Sequence, residues 1–396
     1  MENIKDKVAI IGMGQTKLGD RFDAGFIDLA VEAAQEAFED AKLSPKDIEA
    51  AWIGVFEPNM GGGFMGMAGS YIAEALGMWD IPSSRLSNYC TTGMDALRNA
   101  AHAVAAGLYK FVIVLGEEKM RDVGSRDSLI RQTIMNGHPV VGKGQTAPGM
   151  FALMANKHFK EFGTTKEDLA KVAIKNHYNG SLNPKAHIQR EVTMDKVMGA
   201  YMIADPLGLF DCSTVADGAA VAILTTPEIA KSMKPDGDYA LIKALGVSVT
   251  TDARYFDPHE SYIGFRSTQM AAKSAYEQAG IKDPFKEIGV AEVHDCFTIT
   301  EIINYEDLFF CEKGKGADFI RDGISALDGA LPVNTSGGLK SCGHPIGATG
   351  VRMTYQIYQQ LLGRAGKMQL QDPKLGLIHN LGGPGSVAAV AIYGTP

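Results

Sequence analysis

The stretch that decides the fold prediction is GGLKSCGHPIGATG, residues 337–350, in which five glycines and one proline surround a single histidine, His344. Glycine allows tight backbone turns and proline fixes one backbone angle, so this composition predicts a rigid loop that holds an imidazole. A helix is expected at the end of the loop, where residues 349–363 read TGVRMTYQIYQQLLG. A similar helix start lies much earlier, where residues 92–107 read TGMDALRNAAHAVAAG. We therefore interpret the two stretches as diverged copies of one structural element.

Two further pairs of similar segments occur in the same order along the chain. Residues 37–43 read AFEDAKL and residues 275–281 read AYEQAGI, each at the end of an amphipathic helix pattern. Residues 218–224 read GAAVAIL and residues 387–393 read VAAVAIY, which are apolar runs typical of strands buried on both faces. Three matches in one order predict an α/β fold made of two similar halves, each with strands and helices alternating around a mixed sheet.

The first of these halves is predicted to be interrupted. It is expected at residues 1–120 and 200–233, and the second half at residues 234–396. Between the two parts of the first half, residues 121–199 are more polar and contain the segment GKGQTAPG at 142–149. We interpret this insert as a lid or a cofactor-binding region. Two internal halves also favour dimerisation.

Composition and charge exclude several classes of protein. The chain has 396 residues, of which 45% are hydrophobic and 21% charged, an ordinary balance for a soluble globular protein. A net charge of −8 argues against a nucleic-acid partner, since such binding needs a basic surface. No apolar stretch approaches the roughly 18 residues of a membrane helix, so no membrane contact is expected. Five cysteines with irregular spacing do not suggest a disulfide framework, which favours the reducing cytoplasm.

The first candidate catalytic residue is Cys90, in the segment NYCTTG at residues 88–93. A cysteine at a helix amino terminus meets the positive end of the helix dipole and unpaired N–H groups, which would lower its thiol pKa from about 8.5. By the internal repeat, His344 lies at nearly the corresponding place in the second half, facing a shared centre. A cysteine and a histidine placed in this way form a nucleophile–base pair.

Two more candidate segments are expected at strand ends in the second half. In HDCF, residues 294–297, the alternation of a strand puts His294 and Cys296 on one face. In HNLGGPG, residues 379–385, His379 precedes glycines that can bring backbone N–H groups or the imidazole close to a bound carbonyl. Four such loops at strand ends are expected to converge on one active site.

Together these four segments resemble the thiolase superfamily, and within it the sterol-carrier-protein-type thiolases and their archaeal and bacterial acetyl-CoA acetyltransferase relatives. The resemblance implies a layered α-β-α-β-α thiolase fold with an inserted loop domain, and a homodimer. It also implies acyl-CoA as substrate and coenzyme A as co-substrate, with no tightly bound cofactor and no metal. Contacts to coenzyme A are expected from Lys143 and Gly144 in the insert and from Val247 and Ser248 in the second half.

The resemblance further implies the coenzyme-A-dependent cleavage of a 3-oxoacyl-CoA, or the reverse Claisen condensation. Cys90 would form an acyl-enzyme and His344 would keep Cys90 ionised. His294, with His344, would help to hold the oxyanions that form. Cys296 would act as the second thiol, the acid/base at the enolate, and Cys342 is the rival candidate for that role.

The substrate and a protein partner follow only from the resemblance. Acetoacetyl-CoA is the default substrate, but relatives in anaerobic aromatic degradation cleave bulkier aroyl-succinyl-CoA thioesters. Many relatives assemble with a small zinc-ribbon/OB-fold protein encoded beside them, which makes such a partner possible here. One departure is informative: His379 stands where common degradative thiolases carry their second cysteine, so the second thiol is expected at Cys296 instead.

Three other interpretations stay open. The first is a Cys₂His₂ zinc site made of His294, Cys296, Cys342 and His344, although a single intervening residue within each pair is unlike a zinc finger. The second is a non-catalytic thiolase-like subunit, against which the presence of Cys90 and His344 argues. The third is a condensing synthase of the same fold, which does not need a second thiol at Cys296.

Overall fold

The computed structural model describes residues 3–57, 67–124, 146–250 and 262–396. The strands are β1 (Ala9–Gln15), β2 (Ala50–Val55), β3 (Ser83–Leu86), β4 (Val112–Glu118), β5 (Met202–Ala204), β6 (Leu207–Gly208), β7 (Gly218–Thr225), β8 (Ala240–Val249), β9 (Val290–Val293), β10 (Leu375–Gly382) and β11 (Val387–Gly394). The helices are α1 (Phe26–Ala41), α2 (Ala68–Ala75), α3 (Thr92–Ala105), α4 (Ala147–Phe162), α5 (Lys166–Leu182), α6 (Met194–Met198), α7 (Pro227–Met233), α8 (Arg266–Ala279), α9 (Pro284–Glu287), α10 (Thr298–Asp307), α11 (Gly316–Arg321), α12 (Gly338–Ser341) and α13 (Thr349–Leu361).

The main sheet has the same strand pattern on both sides of its middle. In the part of the chain that the structure describes, nine strands form this sheet in the order β3-β2-β4-β7-β1-β8-β11-β10-β9, and β5 with β6 forms a separate hairpin. On one side, β1–β7 and β7–β4 are antiparallel and β4–β2 is parallel. On the other side, β8–β11 and β11–β10 are antiparallel and β10–β9 is parallel. The predicted α/β fold of two similar halves is confirmed.

Three apolar cores separate the layers of the fold. One lies between α1 and the outer face of the first half, one between α8 and the outer face of the second half, and one surrounds α3 and α13 in the middle. Alternation along β4 shows how one strand serves two cores. Val112 and Val114 face the middle core, and Ile113 and Leu115 face the outer core. The helix–sheet–helix–sheet–helix layering implied by the resemblance is therefore present, since the strands of each half form one sheet layer. The two layers are continuous through β1 and β8, which pair at two positions among the described residues.

Each pair of similar segments forms the same element in both halves. The first pair ends α1 and α8, and each helix is followed by a left-handed residue, Lys42 with φ 55° and Gly280 with φ 80°. The second pair forms the central helices α3 and α13, and the third forms the buried strands β7 and β11. The internal repeat in the sequence is thus a repeat in the structure.

The central helices α3 and α13 approach each other closely at their amino ends through glycines. A Cβ atom added at Gly93 would lie 2.7 Å from the carbonyl oxygen of Gly347. One added at Gly350 would lie 2.5 Å from the backbone nitrogen of Met94. Only glycine permits this contact, because a methyl group would overlap backbone atoms that have no room to move. The contact sets the separation of the two loops that precede these helices.

The described part of the predicted insert is mainly helical and supports the second half. Helix α5 packs against α10, α11 and α12. Asn176 on α5 donates through Nδ2 to Asp295 at 2.8 Å and to Glu301 at 2.7 Å. Asn183 Nδ2 donates to the carbonyl oxygen of Ser336 at 3.0 Å. The insert therefore braces two candidate loops, and its role as a lid or cofactor-binding region stays a prediction.

Within the described ranges, no helix is both long and apolar enough to cross a membrane. The five cysteines are all free thiols.

Replacing Gly93 by alanine is expected to lower the free energy of unfolding by about 1–3 kcal/mol, because the added methyl must push the two central helices apart. Urea denaturation followed by circular dichroism measures this change. Gly149→Ala is the matched control, since its Cβ would meet only the Thr146 hydroxyl oxygen, at 3.3 Å. Equal stability of the two variants would show that the helix contact tolerates a methyl group.

Candidate active site

Cys90 lies in a braced turn between β3 and α3. The preceding residue, Tyr89, has a φ of 51°, a left-handed conformation that is uncommon outside glycine. Two hydroxyl groups hold this turn: Thr91 Oγ1 donates to the Asn88 carbonyl at 2.6 Å, and Thr92 Oγ1 donates to the Tyr89 carbonyl at 2.5 Å. The Asn88 N–H donates back to Thr92 Oγ1 at 2.8 Å. The two threonines after the cysteine thus fix the turn that carries the thiol.

The Cys90 thiol is buried, and burial raises its pKa to about 12. The backbone N–H of Gly383, in the loop after β10, hydrogen-bonds the sulfur and opposes this shift, whereas the charge of Glu118 adds to it. The predicted lowering of this pKa by the helix amino terminus is therefore wrong. Helix α3 begins only at Thr92, two residues after the cysteine, and removal of the sulfur from water is the largest cause of the shift.

His344 is held in one tautomer by the loop that carries it. The Thr349 hydroxyl donates to the Pro345 carbonyl at 2.8 Å, so its oxygen accepts from His344 Nδ1 at 2.7 Å. His344 therefore carries its proton on Nδ1 and presents the lone pair of Nε2. The turn itself depends on Gly343, whose φ of 112° suits glycine.

The structure brings together Cys90, His294 and His344. The sequence predicted Cys90 as the nucleophile, His344 as its base and His294 as a group that helps to hold the oxyanions. The Cys90 sulfur and one ring nitrogen of each histidine all lie within 4.8 Å of one another. The two imidazole rings have centroids 5.2 Å apart and stand nearly perpendicular, at 85°. Burial lowers the pKa of His294 to about 3 and that of His344 well below its ordinary value, and the charge of Arg352 lowers both further. At neutral pH the site therefore holds neutral imidazoles beside a neutral thiol.

The two candidates for the second thiol lie in different surroundings. Cys296 is half-buried, and its sulfur lies 3.8 Å from Thr300 Oγ1. Burial is the largest cause that raises its pKa, and the charge of Cys90 is the second. Cys342 is fully buried and its sulfur lies 3.6 Å from Asn183 Nδ2. The charge of Cys90 is among the causes that raise the pKa of Cys296, but it is not among those that raise the pKa of Cys342.

His379 lies in β10 and is buried. Its Nε2 shares a hydrogen bond with Thr268 Oγ1 at 2.9 Å, and burial lowers its pKa well below the ordinary value. From the same HNLGGPG segment, the group that touches the Cys90 sulfur is the backbone N–H of Gly383. A glycine of this segment thus supplies a hydrogen-bond donor to the Cys90 sulfur.

The residues predicted to contact coenzyme A are only partly described. Val247 and Ser248 are half-buried near the end of β8, beside β11. The Thr250 N–H donates at 2.7 Å to the backbone of the loop between β10 and β11, which carries Gly383. Residues 143 and 144 (Lys143 and Gly144) lie outside the described residues. Coenzyme contacts at all four positions stay predictions.

Comparison with known proteins identifies the family. The thiolase N-terminal domain matches residues 8–228, and the thiolase C-terminal domain-like family matches residues 248–395. The chain belongs to the thiolase family. An acetyl-CoA acetyltransferase from Methanothermobacter thermautotrophicus is 40% identical over 391 residues, covering 98% of this chain and 99% of that protein. Sterol carrier protein 2 from Homo sapiens is 33% identical, covering 98% of this chain and 72% of that protein.

Solved structures share the thiolase fold. The Ltp2-ChsH2(DUF35) aldolase superposes with a TM-score of 0.84 at 24% identity, covering 100% of this chain and 99% of that one. Human mitochondrial 3-ketoacyl-CoA thiolase in complex with CoA superposes with a TM-score of 0.73 at 17% identity, covering 100% of this chain and 99% of that one. At these identities the likeness concerns the fold alone. The family predicted from the sequence is confirmed, and with it an acyltransferase of the thiolase class.

This thiolase has a buried carboxylate near the site that the sequence analysis missed. Glu118, at the end of β4, accepts through Oε2 from the N–H groups of Phe56 at 3.1 Å and Gly347 at 2.8 Å, and through Oε1 from that of Glu57 at 3.0 Å. Burial raises its pKa to about 7 in spite of these donors. The carboxylate joins the end of β2 to the loop before α13. The available signal was an acidic pair closing the apolar run FVIVLGEE at residues 111–118.

Alkylation of Cys90 by iodoacetamide is expected to accelerate about tenfold per pH unit between about pH 7 and pH 10, with no plateau. The reason is that the thiolate fraction of a thiol with a pKa of about 12 grows steadily over that range. Mass spectrometry of the peptide that contains Cys90 gives the rate. A plateau beginning near neutral pH would instead mean a preformed thiolate–imidazolium pair.

Thr349→Val is expected to slow acylation of Cys90 by an acyl-CoA by at least about tenfold, because His344 loses the acceptor that keeps its proton on Nδ1 and Nε2 free to take the thiol proton during attack. Thr349→Ser, which keeps the hydroxyl, is the matched control and should react like the wild type. If valine and serine behave alike, the hydroxyl does not set the tautomer.

Proposed function

We propose that this thiolase performs the coenzyme-A-dependent cleavage of a 3-oxoacyl-CoA, or the reverse Claisen condensation, through an acyl-Cys90 intermediate. The observation that carries this proposal is the convergence of Cys90, His294 and His344 within 4.8 Å in a buried site. The archaeal relative at 40% identity is named acetyl-CoA acetyltransferase, which supports the same class of reaction.

The first half-reaction starts from a neutral thiol. As the Cys90 sulfur attacks the 3-oxo carbon, His344 Nε2 takes the thiol proton, because Thr349 occupies Nδ1–H. A sulfur–carbon bond forms, and the carbonyl electron pair moves onto oxygen, which becomes an oxyanion. His294 and the protonated His344 stabilise that charge, and the Gly383 N–H stabilises the sulfur end of the intermediate. Each such donor contributes about 3–4 kcal/mol to the rate in enzymes of this kind.

The carbon–carbon bond then breaks, and its electron pair forms the enolate of the departing acyl-CoA. The Cys296 thiol protonates this enolate at C2, a role supported by its raised pKa, which keeps it protonated at neutral pH. Coenzyme A next enters and gives its thiol proton to the Cys296 thiolate. Its sulfur attacks the acyl-Cys90 thioester, and the released Cys90 thiolate regains its proton from His344.

For the acyl group we propose a small 3-oxoacyl chain such as acetoacetyl-CoA, which the name of the archaeal relative supports. A bulkier aroyl-succinyl-CoA is the second substrate to be assayed. Coenzyme A acts as a co-substrate and not as a tightly bound cofactor. We propose that it is contacted by Lys143 and Gly144 in the insert and by Val247 and Ser248 at the end of β8.

We propose a homodimer that forms through β3. This strand is an edge of the described sheet, and its N–H and C=O groups on one side can pair with a second copy. We also propose a small zinc-ribbon/OB-fold protein as a second partner. The aldolase of similar fold is named with a second component, ChsH2(DUF35), which supports this idea. Free thiols at all five cysteines suit the reducing cytoplasm as the location.

The wild type is expected to cleave acetoacetyl-CoA or an aroyl-succinyl-CoA in the presence of coenzyme A, and Cys90→Ala is expected to be inactive with an unchanged circular dichroism spectrum. Thioester absorbance and mass spectrometry of the Cys90 peptide report turnover and the acyl-enzyme. If the wild type shows neither, even with the small partner protein added, a non-catalytic role replaces this proposal.

Cys296→Ala should lower turnover and the exchange of C2 hydrogens into deuterated water by about 100- to 10,000-fold, because it removes the acid/base that serves C2. Acylation of Cys90 should persist in this variant. Cys342→Ala is the matched control and should keep both activities. Loss of exchange in Cys342→Ala alone would reassign the second thiol, and condensation without any need for Cys296 would favour a synthase.

A further inference from the structure

Three side chains of the site are also good ligands for a thiophilic metal ion. The Cys90 sulfur and one ring nitrogen each of His294 and His344 lie within 4.8 Å of one another, and all three residues are buried. A tetrahedral zinc ion requires sulfur and nitrogen ligands about 3.3–3.6 Å apart. Side-chain rotations that move the sulfur and the ring nitrogens by about an ångström would bring them to the separation that zinc requires.

The hydrogen bonds around these ligands leave a ring nitrogen of each histidine available to a metal ion. His344 Nδ1 is occupied by Thr349, so its other ring nitrogen, Nε2, is the one with a free lone pair. His294 Nδ1 is buried and has no hydrogen-bond partner among the residues that the structure describes. A buried polar atom without a partner costs free energy, and an ion bound at Nδ1 would remove that cost.

We propose that Cys90, His294 and His344 form a binding site for one thiophilic divalent cation, with zinc as the best fit, and that the ion inhibits the enzyme reversibly. Two neutral imidazoles and one thiolate are nitrogen and sulfur donors of the kinds that zinc binds, and a set of three leaves a fourth position open. On binding, a sulfur–zinc bond forms and the thiol proton is released to solvent. The fourth position is left to water.

This ligand set differs from the Cys₂His₂ set considered from the sequence. Cys342 follows directly before Gly343 and His344 in the chain, but its sulfur lies beside Asn183 and is not within the group of converging ligand atoms. Neither Cys342 nor Cys296 belongs to that group, and Cys90 from the other half of the molecule supplies its sulfur. The site is thus assembled by the fold and not by sequence spacing.

The inhibition, unlike the binding, rests on the proposed function. A zinc ion on the Cys90 sulfur removes the nucleophile, and acylation of the same sulfur should in turn exclude the metal. Zinc and acyl-CoA are therefore expected to compete, and a chelator should restore activity.

The binding is tested without any substrate, using zinc and its coloured substitute cobalt(II) on the purified protein. One equivalent of cobalt(II) should bind and give a thiolate-to-metal charge-transfer band, which zinc then displaces. Cys90→Ala should lose this band, and His294→Asn and His344→Asn should weaken zinc affinity by at least about tenfold, as expected when one of three ligands is removed. The proton released on binding is measured in weakly buffered solution.

Cys342→Ala and Cys311→Ala are the matched controls and should bind like the wild type, because neither thiol belongs to the converging group. Absence of a charge-transfer band in the wild type, or its loss in Cys342→Ala, would overturn the proposal. Because these measurements use no acyl-CoA, a metal site that fails here is distinguished from a thiolase assignment that fails in the turnover assay.

Discussion

The close contact between two helix starts is the constraint on which the rest of this structure depends. Helices α3 and α13 meet at Gly93 and Gly350, where one added methyl group would lie within 2.7 Å of backbone atoms of the other helix region. Each helix begins just after a loop that carries a reactive side chain. The distance between the helix starts therefore also sets the distance between Cys90 and His344. The internal repeat thus forms one candidate active site, with the proposed nucleophile from one half and the proposed base from the other.

Burial then determines the protonation of that site. The sulfur and the two imidazoles are all removed from water, and this raises the pKa of the thiol and lowers those of the rings. A resting ion pair is disfavoured because two charges would have to exist in a medium of low polarity. In the proposed reaction the charge is instead created during attack on the substrate, where the N–H of Gly383 and the two histidines are already in place. Such an arrangement would stabilise the transition state more than the ground state.

Features that depend on local sequence were predictable, and features that depend on the assembled fold were not. The paired helix starts and strand ends are local patterns, so the two halves and the meeting of Cys90 with His344 could be predicted. The direction of the Cys90 pKa shift could not, because it depends on layers contributed by distant segments. The position of Glu118 near the site could not be predicted for the same reason, since its hydrogen-bond partners lie on two other loops. Cys342 shows the converse: it is close to His344 in sequence, yet its sulfur lies beside Asn183.

The electrostatic coupling between Cys90 and Cys296 bears on the order of the reaction steps. Cys90 and Cys296 lie near enough for a negative charge on Cys90 to raise the pKa of Cys296, so it costs free energy for both to be thiolates at once. In the proposed mechanism Cys296 is a thiolate only while Cys90 carries an acyl group and has no charge. Coenzyme A returns a proton to Cys296 before Cys90 leaves as a thiolate. The coupling therefore favours the order of the proposed steps, in which the two sulfurs are charged one after the other and not together.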